Sequence, residues 1–176
     1  MNDNYKEIER KFLVDEKNLP DLKNRDYHDI TQGYMQNLGG QYIYRLRQVL
    51  FATADGMILG DRYYQTIKGK GTKEREEYET PLFKPQFDVF WRLCEHMSVH
   101  KNRYILTKYD IKPDDIKKEV FLDVYKNGLK GMYTVEVEFE SLEDCDAYVP
   151  EPWFGLEVTE DSRYSNFRMC LDGKPE

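Results

Sequence analysis

The 176 residues, 40% hydrophobic and 14% aromatic, suffice for one domain with its own core and exclude intrinsic disorder despite 34% charged residues. A net charge of −7 argues against a nucleic-acid partner, which needs a basic surface. Three dispersed cysteines, a polar opening and no apolar run near the roughly 20 residues of a bilayer span exclude a disulfide framework, a signal peptide and a membrane helix, so the chain reads as a single cytoplasmic domain over 1–176.

Strand patterns dominate. Period-two or β-branched and aromatic runs occur at about 5–14, 29–37, 41–50, 61–69, 74–82, 100–109, 116–126 and 130–140. Gly39-Gly40 and Asn127-Gly128 supply hairpin turns, while 49–60 reads as a long surface loop. Phe87, Phe90, Trp91, Cys94 and Met97 recur at helical spacing and predict a helix over 85–98. Ser141 and Asp144 form a box-like cap for a short helix. Asp161 or Ser162 caps a C-terminal helix on which Tyr164, Phe167 and Leu171 align. About eight strands with short connections predict an antiparallel barrel or sandwich.

The charges are placed unusually. Glu7 and Glu9, Glu77 and Glu79, and Glu136 and Glu138 are acidic pairs at i,i+2 spacing; Arg45 and Arg47, Lys68 and Lys70, and Lys101 and Arg103 are basic pairs. That spacing puts each pair on one side of its strand, roughly 6–7 Å apart. Solvated outer faces explain any single pair. Segregation by sign, strand by strand, fits better if the apolar faces pack outward and the charges, with Lys11 and Asp123, line a polar lumen. Convergent Arg and Lys suit a polyanion with several phosphate oxygens. Grouped carboxylates suit Mg²⁺ or Mn²⁺, hard ions often shared with substrate phosphates. His28, His96 and His100 are too scattered for zinc.

The opening Glu7-Ile8-Glu9-Arg10-Lys11, then Tyr44-Arg45-Leu46-Arg47, Thr66-Ile67-Lys68-Gly69-Lys70-Gly71, Glu76-Glu77-Tyr78-Glu79, Lys101-Asn102-Arg103-Tyr104, Val135-Glu136-Val137-Glu138-Phe139 and the tail Glu157-Val158-Thr159-Glu160-Asp161-Ser162-Arg163-Tyr164-Ser165-Asn166 together resemble, in order, the CYTH family of triphosphate tunnel metalloenzymes. The resemblance spans essentially the whole chain. It implies a β-rich (α+β) fold, a closed eight-stranded antiparallel tunnel with helices outside and a C-terminal helix. It also implies an enzyme, a divalent-metal-dependent triphosphatase. Metal coordination is implied for Glu7, Glu9, Glu136 and Glu138, with Glu77, Glu79 and Asp123 as further candidates. Triphosphate binding is implied for Lys11, Arg45, Arg47, Lys101 and Arg103, to which the phosphate-facing Lys68 and Lys70 are added, and a catalytic dyad for Tyr34 and Lys68. The expected substrate is inorganic triphosphate. The alternatives are class IV adenylyl cyclase or thiamine triphosphatase activity, or a polyphosphate- or nucleotide-binding protein without catalysis. A homodimer is left open. The 49–60 stretch is longer than in small bacterial members, which places the uncertainty at the tunnel rim.

Overall fold

The computed structural model describes residues 6–35, 40–94, 96–107 and 110–176. Eight strands, β1 (Lys6–Leu13), β2 (Tyr27–Met35), β3 (Ile43–Ala52), β4 (Ile58–Lys68), β5 (Glu74–Leu82), β6 (Ser98–Ile105), β7 (Lys118–Tyr125) and β8 (Tyr133–Phe139), close into an antiparallel barrel in the order β1-β5-β4-β3-β2-β6-β7-β8. Helices α1 (Lys84–Trp91), α2 (Leu142–Ala147) and α3 (Asn166–Asp172) pack around it. Each strand has a partner on both sides, so the sheet offers no free edge. Among the described residues no helix is long and apolar enough to cross a membrane.

The core lies outside the barrel wall. Ile8, Phe12, Val120, Leu122, Val135 and Val137 point outward from β1, β7 and β8 and pack against Cys145, Tyr148 and Phe154, which cover that side. Leu46 and Tyr63 do the same on β3 and β4 beneath Phe87 and Cys94. Alternation then turns the intervening residues of the same strands inward. The inward set carries the ionic residues, while Val99 and Tyr125 of β6 and β7 join Leu129, Met132 and Met169 in a separate apolar cluster. The inversion of the usual barrel follows from where the apolar cover sits.

Two predicted segments differ. Residues 49–60 are not a loop: β3 and β4 continue through them as a long hairpin, with Val49↔Arg62 and Leu50↔Asp61 in register and the turn confined to 53–57. The turn is held by Thr53 N donating to the Met57 carbonyl at 2.9 Å, with Gly56 at φ +87°. The first helix ends at Trp91, not 98, because its last turn gives way to β6 at Ser98. The C-terminal helix starts at Asn166. Ser165 caps it by accepting from Arg168 N at 3.2 Å, and Asp161 caps only the preceding 3₁₀ turn, Ser162–Tyr164. Gly40 adopts φ +68°, while Gly39 and the ends of three predicted strands (Tyr5, Gln36-Asn37 and Lys108-Tyr109), with Glu95 of the first helix, lie outside the described residues.

A separate polar tie fastens the loops beside the barrel. Arg25 donates from both terminal nitrogens to Asp110 at 2.8 and 2.7 Å, and Thr107 N adds a third bond at 2.9 Å. The Arg25 fork holds the Asp110 carboxyl below its usual value of 3.8, against the opposing effect of burial. A depressed carboxylate stabilises the fold above the unfolded value and loses that contribution as pH falls through the folded one. Asp110→Asn should therefore lower stability by about 1–2 kcal/mol at pH 7, with the gap from wild type narrowing below pH 3.8. Urea unfolding at pH 7 and pH 3 tests this, and an equal gap at both would refute it.

Candidate active site

The inward residues enclose a cavity of about 460 Å³ walled by β1, β2, β3, β4, β5, β6 and β8 and rimmed by residues 158–168. A second opening of about 520 Å³ shares Glu7, Arg47 and Glu138 with it.

Register brings the charged pairs together. Glu9 is the cross-strand partner of Glu138 and Lys11 that of Glu136 on the β1–β8 ladder; Arg103 faces Asp123 on β6–β7, and Lys68 faces Glu77 on β4–β5. All seven candidates of the basic set except Lys70 stand on strands. Lys70 lies two residues beyond β4, exposed at the cavity mouth. Lys11, Arg45, Lys68, Lys101 and Arg103 are all buried.

The carboxylates divide into two kinds. Asp123 is wholly buried and grips Lys101 and Arg103, the latter at 2.8 Å through both Nε and Nη2. Glu136 pairs with Lys11 at 2.8 Å and with Arg103. Burial opposes ionisation of both, but the adjacent cations win and hold both below the ordinary range. Glu77 and Glu79 brace Arg45 at 3.2 and 2.9 Å. These groups already serve cations of the protein.

Glu7, Glu9 and Glu138 differ. Each offers an oxygen, and the three oxygens lie within 4.8 Å of one another. Burial and the neighbouring Glu7 charge push Glu9 upward. Burial, aided by the charges of Glu7, Glu136 and Glu9, pushes Glu138 up to about 7 against the pull of Arg103. Glu7 differs from these two: against burial, Lys68 and Arg75 hold it below the ordinary carboxylate range. An all-oxygen donor set of three clustered carboxylates suits a hard divalent ion. The residues therefore fit such an ion. Of the expected set, Glu136 does not join this trio among the described residues.

The cations are likewise unequal. Arg47 is underused: its Nε is buried without a hydrogen bond, and its closest carboxylate, Glu79, is 3.9 Å away. Burial, then repulsion from Arg45, lowers its affinity for its own proton. Such a guanidinium calls for an anion.

Lys68 donates to both oxygens of Glu7 at 2.9 Å and meets Glu77 at 2.6 Å. Burial lowers its pKa against the pull of Glu7. Tyr34 is buried, accepts from Gln32 Nε2 at 2.8 Å and meets the Phe167 ring edge-on; burial pushes its hydroxyl up to about 12. Both line the cavity, but among the described residues no hydrogen bond joins them.

No family model matches the chain. The inorganic triphosphatase of Nitrosomonas europaea is 38% identical over 167 residues, 94% of this chain and 97% of that one. The inorganic triphosphatase of Acetivibrio thermocellus is 28% identical over 168 residues, covering 93% and 92%. The crystal structure of the inorganic triphosphatase NE1496 shares the fold at a TM-score of 0.60 and 35% identity, over 97% of both chains. The chain belongs to the CYTH family of triphosphate tunnel metalloenzymes.

The CYTH tail run has a structural role here. Val158 N donates to the Lys11 carbonyl at 2.8 Å, and Thr159 Oγ1 accepts from Lys11 N at 3.0 Å, so the run straps the end of β1. Asn166 accepts from the buried Tyr125 hydroxyl at 2.8 Å, seating α3 at the cavity rim. One interior cation escaped the sequence reading. Arg75 lines the cavity and reaches Glu7 and Glu9. It sits two residues before Glu77, on the same strand face, so alternation alone pointed to it. Its like-charged neighbour two residues back, Lys73, precedes the strand, and the pairing of signs passed over it.

Proposed function

We propose that this chain hydrolyses inorganic triphosphate to phosphate and diphosphate within the tunnel, using a divalent ion held by Glu7, Glu9 and Glu138. The observation that carries the reading is the unpaired Arg47 edge facing the same lumen as that carboxylate trio. Arg47 lacks an anion, the three clustered carboxylate oxygens suit a hard cation, and a metal–triphosphate complex supplies both.

Lys11, Arg45, Arg47, Lys101 and Arg103 converge on the phosphate oxygens and orient the chain of phosphates along the lumen. Their fixed charges stabilise the charge that shifts to the leaving diphosphate as the phosphoanhydride bond breaks. The bound ion, Mg²⁺ or Mn²⁺, would neutralise phosphate charge and polarise the bond under attack. Lys68 Nζ, whose pKa burial lowers, takes a proton from the attacking water in its neutral form, having first given up the proton it shares with Glu7. Tyr34, kept neutral by burial, presents a hydroxyl to the same cavity. Asp123 and Glu136 act behind this surface by fixing Lys101, Arg103 and Lys11. Free Cys94, Cys145 and Cys170 accord with a reducing, cytoplasmic setting.

Phosphate release from inorganic triphosphate, ATP and thiamine triphosphate, each with Mg²⁺ or Mn²⁺ and with chelator, tests the proposal. We expect turnover of inorganic triphosphate that chelator abolishes. Release only from another substrate, or cyclic AMP formed from ATP, would overturn the substrate assignment; turnover in chelator would overturn the metal.

A further inference from the structure

The carboxylate trio already holds cations of the protein: Lys68 donates to both oxygens of Glu7, and Arg75 reaches across two of its members. Glu7 and Arg75 are cross-strand partners on the β1–β5 ladder. Arg75 Nε donates to Glu7 Oε2 at 2.6 Å, and its Nη2 donates to Glu9 Oε1 at 2.7 Å. One guanidinium thus bridges two of the three groups that would bind the ion, while Glu138 has only Arg103 at 3.9 Å.

The bridge answers an electrostatic need. Three carboxylates this close repel one another, and burial removes the water that would screen them. A planar fork with donors on both sides can span two carboxylates, which a point-charge ammonium cannot do equally well. The same bonds set up a competition, because the oxygen lone pairs that receive Arg75 are those a divalent ion requires. Arg75 also lines the phosphate cavity together with Arg45 and Lys68. Once released, its donors have phosphate oxygens within their reach.

We infer that Arg75 is an exchangeable internal cation: it occupies Glu7 and Glu9 in the ion-free enzyme, yields them to the divalent ion, and then turns its guanidinium to the triphosphate. This rests on the metal and substrate placement proposed above. Arg75 is then a positioning residue that couples the two binding events. The ion sets free a phosphate ligand, and the phosphate holds that ligand away from the ion's site. By linkage the coupling is reciprocal.

The test is Mn²⁺ binding to Arg75→Gln without substrate, followed by the electron paramagnetic resonance signal of free Mn²⁺. Removing the competitor should tighten Mn²⁺ binding about tenfold and weaken inorganic triphosphate binding in the presence of Ca²⁺ in place of Mn²⁺. A purely structural arginine predicts the opposite for the ion, since a loosened trio binds less well. Unchanged or weaker Mn²⁺ affinity would overturn the inference. Should Arg75→Gln fail to fold, Arg75→Lys keeps the charge but contacts one carboxylate; its Mn²⁺ affinity should exceed wild type, and equality would count as refutation. The readout needs no hydrolysis. Tighter Mn²⁺ binding in an enzyme that cleaves no triphosphate would sink the substrate assignment and leave the exchange standing.

Discussion

Glu9→Gln is expected to reduce phosphate release from inorganic triphosphate by at least about 100-fold, the scale of removing one electrostatic contact to a reacting group, while leaving the fold intact. Glu9 gives one of three oxygens to the proposed ion site, and an amide of equal size supplies neither the charge nor the affinity for a hard cation. The fold should survive because burial and the Glu7 charge already disfavour ionisation of Glu9. Neutralising it relieves repulsion, and Arg75 keeps its bond to Glu7 at 2.6 Å. Turnover and thermal unfolding measured side by side make the test. Unchanged turnover would remove Glu9 from the ion site, and a collapsed fold would show its role to be structural.

Asp123→Ala should act in the reverse manner, chiefly on stability. Asp123 is fully buried and is gripped by Lys101 and Arg103 from the neighbouring strand. Removing it leaves two cations buried without their shared partner, a change that typically costs about 3–5 kcal/mol. Glu136 retains a bond to Arg103, whereas the salt bridge of Lys101 is to Asp123 itself, so Lys101 is the more exposed to the loss. Lys101 is already lowered to about 8, by burial first and then by repulsion from Arg103, and without Asp123 it should fall further. Denaturant unfolding should show the loss, with inorganic triphosphate restoring part of it by supplying negative charge to the same cations. A variant within 1 kcal/mol of wild type, by the roughly 0.5 kcal/mol scatter of ordinary surface changes, would contradict the account of this pair.

Much of the fold was legible because the strands alternate so strictly. Val135, Val137 and Phe139 interleaved with Glu136 and Glu138 leave no choice of face once one side is apolar. What alternation could not say is which face turns inward. Segregation of the charges by sign pointed to the lumen, and the apolar cover supplied by Cys145, Tyr148 and Phe154 bears that reading out. The hairpin through 49–60 was misread because its tip carries Met57, Ile58 and Leu59, exposed apolar residues outside a clean period-two pattern; the Asp55-Gly56 pair inside it was the turn signal to weigh. Within the site, sign and spacing identified the residues but not their partners. Asp123 and Glu136 carry the same charge as Glu9 and Glu138, yet each of the first two is held by both a lysine and an arginine, whereas Glu9 meets Arg75 and Glu138 lies 3.9 Å from Arg103. Such division of labour among identical side chains is set by distances of an ångström or two, which no linear pattern encodes.

Because β1 pairs with β5 on one flank and β8 on the other, the first strand of the barrel must wait for its last before the cylinder shuts. Long-range pairings of this sort form late and slowly. Glu9 meets Glu138 only at that final seam, so a nascent or half-assembled molecule has no ion pocket to fill. Catalytic competence would thus arrive as a by-product of finished folding, and partly built chains would leave cellular metal and polyphosphate alone.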